Sequence, residues 1–422
     1  MKSTILTFLL FAASLLAVVA VPARMGAQVQ SATEKDSEES VRYVVIDLGT
    51  LPGGTFSQAT FVNNHGVVTG FSTAADGASH AFLWSKGSIT DISSPGLGGP
   101  NSAAFGVNEK GQVAGQTENS TIDPNNENFC GYATGLKCLP FLWQEGIMTL
   151  LPTLGGFNGT VGQINRRGEV AGVVETSTRD LACPTTPAAN GTGPQILDFE
   201  AVIWGPKPGE IRQLSPLPGD SVGMALWIND QGQAVGASGS CANTVLPPFA
   251  VGLHAILWQK DGSPEDLGNL GGTVNPDSLI GNIAFAINNR GHVVGTSALP
   301  GNQTIHAFLW TQKTGMRDLG TLPGDDNSAG LGINDRGDVV GGSIQGSVLT
   351  GSARAFLWRD GKIRDLNSLA PKSSPLFLLT AFAINDAGEI AGFGVQTSTG
   401  DLHGFLAMPC DREHDGAEWC KE

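Results

Sequence analysis

The sequence predicts an all-β protein: a seven-bladed β-propeller of four-stranded antiparallel blades, closed by an N-terminal strand. Three observations carry this expectation. A nine-residue signature recurs seven times, each copy brings its own set of short strands, and an unassigned strand ahead of the first copy supplies what the last copy lacks.

The signature is an aliphatic residue, Asn, two variable residues, Gly, three more residues and a second Gly. Its copies are VNNHGVVTG, VNEKGQVAG, INRRGEVAG, INDQGQAVG, INNRGHVVG, INDRGDVVG and INDAGEIAG, which makes Asn63, Asn108, Asn165, Asn229, Asn288, Asn334 and Asn385 equivalent positions. The first Gly falls where a type I hairpin turn with a bulge needs positive φ, and Asn can bond its own turn backbone. A calcium loop is the sharper reading, but its alternating oxygen ligands are missing, and Arg166 and Arg167 would oppose a cation in the third copy. The signature is a turn.

A second block follows each copy: HAFLW at His80, PFLW at Pro140, AVIW at Ala201, HAILW at His254, HAFLW at His306, RAFLW at Arg354 and HGFLA at His403. A third precedes it, in forms such as DLGTLPGG from Asp47 and DLGNLGG from Asp266, reduced to SPGLGG from Ser94 and DLNSLAP from Asp365. This triple pattern resembles the bacterial extracellular HAF-repeat family over roughly residues 43–409. The resemblance implies an extracellular repeat protein and no particular activity.

Each copy resolves into four strands, placed in the sixth at 330–334, 338–343, 353–358 and 362–366. Four antiparallel strands per unit, apolar on both faces, suit blades sandwiched between neighbours round an axis. The seventh copy stops after its third strand. The segment RYVVIDL (42–48) matches the missing fourth strand and ties the two chain ends together, so the open solenoid, which needs polar caps, is disfavoured.

Before the ring, residues 1–27 read as an export signal: Lys2, an apolar run from Ile5 to Val21, and small residues at Ala20, Ala23 or Ala27 for cleavage. An uncleaved anchor is the alternative, since such a run is just long enough for a tilted span. Residues 28–42, polar, charged and free of aromatics, read as a disordered lead-in, and 410–422 as a disulfide-tethered tail. Removing 1–27 takes away Lys2 and Arg24 and leaves 22 basic against 39 acidic side chains, a net charge of −17 against −15 for the whole chain. That surface repels phosphate backbones, so nucleic acid is excluded as a partner.

The six cysteines, Cys130, Cys138, Cys183, Cys241, Cys410 and Cys420, lack zinc-ligand spacing and fit disulfides in an oxidising compartment. Expected pairs are Cys130 with Cys138 inside one loop and Cys410 with Cys420 across the tail. Cys183 and Cys241 remain, on loops leaving adjacent blades on one face.

The histidines of the second block do not complete a ring, because Leu139, Glu200 and Arg354 stand at the same place in other copies. Packing is expected for them, and for the stripe Trp84, Trp143, Trp204, Trp258, Trp310 and Trp358. Trp227 stands apart: it precedes the signature on the innermost strand, where other copies have Phe61, Gly106, Gln163, Ala286, Gly332 and Ala383, and either lines the axial channel or packs in the core.

No nucleophile elbow, phosphate loop or paired-His zinc motif occurs, and no cofactor or metal is expected. Chemistry that breaks the repeat gathers in the loops 118–139, 175–199 and 238–253, on one face. Asp123, Asn125, Asn126, Glu127, Phe129, Tyr132, Lys137, Arg179, Asp180 and the surroundings of Asp198 are the candidate contacts there. The function expected is that of an exported, monomeric, non-catalytic binding scaffold for an extracellular or envelope ligand, polysaccharide or protein. A propeller-based polysaccharide lyase or glycoside hydrolase, and a structural envelope component, are the alternatives.

Overall fold

The computed structural model describes residues 42–410 apart from 94–97, 184, 186–192, 247–248, 251–253, 273–280 and 349–350. The export signal, most of the lead-in and the tail with Cys420 lie outside the described residues.

Seven four-stranded antiparallel sheets form a ring. Their first strands are Ser57–Val62, Gly98–Val107, Gly155–Ile164, Val222–Ile228, Ile283–Ile287, Asn327–Ile333 and Leu376–Ile384, and each touches the first strand of the next blade, the last touching the first. The seventh blade takes its outer strand from the N-terminal side. Arg42–Asp47 pairs antiparallel with Leu402–Cys410, in a register running from Arg42 opposite Cys410 to Asp47 opposite Phe405. The closing strand buries Tyr43 and Val45 among Leu357, Leu366 and Leu378, so it packs on blade six as well as completing blade seven.

Each signature is the hairpin between first and second strands. In the first copy Gly66 N donates to Asn63 O at 3.1 Å and Asn63 N to Val67 O at 3.0 Å, with Gly66 at φ 70°. The second Gly has a different cause. A Cβ on Gly70 would lie 1.9 Å from Gln58 O and 2.8 Å from the ring of Phe82, the Phe of the second block. The two sequence blocks are therefore one packing unit: the missing side chain is the seat of the aromatic ring.

The Asn does more than shape its turn. Its Oδ1 accepts turn amides, as Asn63 does from His65 N and Val67 N at 3.0 Å. Its Nδ2 reaches the next blade. Asn63 donates to Asn108 O, Asn108 to Asn165 O, Asn165 to Asn229 O, Asn229 to Asn288 O, Asn288 to Asn334 O, Asn334 to Asn385 O and Asn385 to Asn63 O, at 2.9–3.2 Å. All seven side chains are buried. A closed circuit of hydrogen bonds thus ties every blade to the next.

Farther out, the tryptophan stripe fills the gaps between blades, as expected. Trp84 packs with Ala383 and Leu406 of blade seven, and Trp358 with Ala286 and Val294 of blade five. The second-block histidines pair with aspartates: His80 Nδ1 with Asp91 (2.7 Å), His254 with Asp220 (2.9 Å), His306 with Asp318 (2.9 Å) and His403 with Asp47 (2.9 Å). In three of the four the aspartate belongs to the fourth strand of the same blade, and Arg354 replaces histidine against Asp365 in blade six. These side chains latch strands within blades and do not converge on one site.

Candidate functional site

Just before every signature the first strand carries a register irregularity, such as that between Ala59 and Phe61 or between Ala225 and Trp227. Such bulges bend a strand and re-aim its side chains. Phe61 and Trp227, from blades on opposite sides of the ring, meet edge to face with centroids 5.5 Å apart. They floor an axial cavity of about 120 Å³ that opens among the signature hairpins. Trp227 thus does both things the sequence left open: it lines the channel and packs on the cores of blades five and six.

The rim is the residue after each signature Asn: Asn64, Glu109, Arg166, Asp230, Asn289, Asp335 and Asp386. Main-chain amides knit it together. Asn64 N donates to Glu109 Oε1, Arg166 N to Asp230 Oδ1, Asp230 N to Asn289 Oδ1, Asn289 N to Asp335 Oδ1, Asp335 N to Asp386 Oδ1 and Asp386 N to Asn64 Oδ1, at 2.7–3.1 Å. The series breaks between Glu109 and Arg166, since a guanidinium offers no acceptor. Arg166 instead lies across the mouth, 3.6 Å from Asp230 of the next blade and 3.6 Å from Asp386 of blade seven. The rim thus carries four carboxylates and one guanidinium.

The long loops leave the opposite face. There the structure corrects the sequence reading. Asp123, Glu127 and Phe129 are fully buried and Tyr132 is half-buried, so these four are interior side chains rather than a contact surface. The polar ones face inward because the loops fold on each other: Ile196 N donates to Glu127 Oε1 at 2.6 Å, and Asn158 Nδ2 to Asp123 Oδ2 at 2.9 Å. Asp180 accepts from Ser221 Oγ at 3.0 Å, tying blade three to blade four, and Lys137 lies over the ring of Phe157. The loops present Arg179, Ile122 and Leu181 to solvent, Leu181 at 88% exposure.

Two disulfides form as expected. Cys130 joins Cys138, and Cys183 joins Cys241 with Cα atoms 4.5 Å apart, stapling the loops of blades three and four. Cys410 is also disulfide-bonded, and Cys420, its expected partner, lies outside the described residues. These bonds fit an oxidising compartment. Among the described residues no helix is long and apolar enough to cross a membrane.

The acidic side chains of this face respond to their burial. Desolvation and then the neighbouring Glu175 drive the Glu127 carboxyl far upward, and desolvation raises Glu175. Glu200, at the histidine position of blade three, is pushed up to about 8 by burial and by Asp198. The gathering of Glu175 with Asp123 and Glu127 was not legible in the sequence, where the contributing residues stand some fifty positions apart.

No protein-family model and no curated protein sequence matches the chain. Among solved structures it is similar to an oligogalacturonate lyase in complex with manganese (11% identity, TM-score 0.49, covering 86% of this chain and 93% of that one). It is also similar to a puromycin-hydrolysing peptidase of Mycobacterium tuberculosis (13%, 0.47, 83% and 53%) and to the sialidase of Trypanosoma rangeli (10%, 0.40, 88% and 58%). At these identities and scores none of them bears on activity, ligand or residue roles, and what the chain itself shows is a seven-bladed β-propeller stapled by disulfides.

Proposed function

We propose that the protein is an exported, non-catalytic binding module of the HAF-repeat type, and that its axial mouth takes a small cationic group carried by a larger extracellular or envelope partner. The observation that carries this reading is the rim position: it repeats in place in all seven blades but not in kind, ending as four carboxylates, two amides and one guanidinium over an aromatic floor. Carboxylates around an indole face favour an alkylammonium by charge and by cation–π attraction. A cavity of about 120 Å³ is smaller than the roughly 300–1,000 Å³ typical of pockets for drug-sized ligands, which suits an end-group rather than a whole ligand. The reading moves recognition from the long-loop face, expected from the sequence, to the hairpin face.

Converging carboxylates are also what a glycoside hydrolase on this fold would need. Here, however, both oxygens of Asp230, Asp335 and Asp386 already accept hydrogen bonds, the second of each from Asn289 or Asn64 Nδ2 at 2.9–3.1 Å. A carboxylate so held is poorly placed to pass a proton.

Titration calorimetry of the chain from residue 28 with tetralysine and with a glucosamine oligomer tests the proposal, with product analysis of the same mixtures. Binding of either that is lost in Trp227→Ala and in Asp386→Asn is the expected result. No binding of either probe, binding indifferent to both substitutions, or turnover of the oligomer would overturn it.

A further inference from the structure

The rim position departs from its own rule at one place. Asn64, Glu109, Asp230, Asn289, Asp335 and Asp386 each give an acceptor to a main-chain amide of the rim, and Arg166 gives none. A position that served only to join blades would hold asparagine here, as it does at Asn64 and Asn289.

Arg166 is also held differently from other arginines near the signatures. Arg167, next to it in sequence, donates through Nε to Glu169 at 3.0 Å, and Arg359 through Nε to Asp338 at 2.8 Å. The Arg166 guanidinium stands 3.6 Å from Asp230 Oδ2 and 3.6 Å from Asp386 Oδ2, beyond hydrogen-bond reach of both, and its side chain is half exposed. Exposed charges at that range attract one another weakly. Nor do the carboxylates need the guanidinium to hold them. Asp230 Oδ2 accepts from Asn289 Nδ2 at 3.1 Å and Asp386 Oδ2 from Asn64 Nδ2 at 2.9 Å, while their Oδ1 atoms take main-chain amides at 2.9 and 3.0 Å. Both anionic groups are fixed by the blades, and the cation between them is loose.

We propose that Arg166 is a tethered plug: its guanidinium occupies the place in the axial mouth that a ligand's cationic group takes, and swings aside when the ligand binds. The inference rests on the cation-binding reading above and adds what sets its affinity. A cation carried on the chain competes at a local concentration that dilution does not lower. A lone monovalent cation is therefore disfavoured. A ligand with several charges, or one whose cation also reaches the indole of Trp227 on the floor, displaces the plug.

Calorimetric titration of the chain from residue 28 with tetralysine compares the parent with Arg166→Asn, which installs the residue that Asn64 and Asn289 already supply at this position. Arg166→Asn is expected to bind about tenfold more tightly, the scale on which two exposed ion pairs compete. Its affinity should also fall more steeply as salt rises, since four carboxylates then stand unopposed. Arg166→Lys, which keeps the charge, should gain less. Binding by Arg166→Asn no tighter than by the parent, or an equal gain in Arg166→Lys, would overturn the plug and leave the cation-binding reading intact. No binding by the parent or by either variant would refute both. Binding by Arg166→Asn alone would support a plug that holds the parent shut. Should Arg166→Asn fail to fold, nitrogen NMR of the parent decides: saturation with tetralysine must shift the Arg166 Nε–H resonance, and a resonance that stays in place refutes displacement.

Discussion

The side-chain amide of Asn385 donates to the main-chain carbonyl of Asn63 at 2.9 Å, joining residues 322 positions apart and closing the last blade on the first. The same side chain accepts Glu389 N through Oδ1 at 2.9 Å, so it builds its own turn and the seam between blades at once.

Asn385→Asp separates these roles. Aspartate keeps the acceptor for the turn but replaces the donor with a charge facing the Asn63 carbonyl and the nearby Glu389. Leaving buried groups unpaired costs about 1–3 kcal/mol each, and more with a charge. A loss of at least about 2 kcal/mol in urea unfolding is expected, and an unchanged midpoint would show the seam to be dispensable.

Removing residues 28–48 takes away the closing strand with Tyr43 and Val45. Their burial alone is worth about 1.5–3 kcal/mol each, and an unpaired blade edge invites association. The deletion should lower the melting temperature sharply and produce oligomers on size exclusion. A monomer melting like the parent would refute closure by this strand.

His403 of the third strand pairs with Asp47 of the closing strand, Nδ1 lying 2.9 and 3.0 Å from the two carboxylate oxygens. The hydrogen bond to Asp47 raises its pKa above the ordinary value, burial opposes this, and the charges of Asp47 and Asp401 add to the rise. A raised folded pKa means stabilisation that is complete below the unfolded value of about 6.5 and is lost as pH climbs through the folded one. Thermal stability should therefore fall from about pH 6.5 upward, and His403→Gln should flatten that part of the profile. A parallel profile in the variant would assign the fall to other groups.

The disulfide between Cys183 and Cys241 spans 58 residues. By loop entropy such a bridge is worth about 4 kcal/mol. Replacing both by serine should lower stability by up to that amount, and peptide mapping without reductant should recover the 183–241 link. Finding Cys183 on Cys420 instead would contradict the blade order.

The ring was legible because its causes are local and repeated. Asn, Gly and the second-block Phe recur at fixed spacing since each blade solves the same packing problem, and 42–48 declared itself by matching a strand position left empty. What was not legible depends on chain segments far apart. Nothing in the sequence places Phe61 against Trp227, lays Arg166 over Asp386, or turns Asp123, Glu127 and Phe129 inward, because each follows from which blades face or adjoin one another. Polar, irregular loops suggested a contact surface, yet their carboxylates are buried by hydrogen bonds to a neighbouring loop rather than by any apolar pattern of their own.

The circuit of asparagines has an electrostatic corollary. Its seven amide-to-carbonyl dipoles run head to tail in one rotational sense, and the part of each that lies along the circle, being perpendicular to the line to the centre, adds nothing to the potential on the axis. The charges a visiting ion meets there stand at the position after each signature Asn, where the repeat keeps its place and not its chemistry: Glu109, Arg166, Asp230, Asp335 and Asp386.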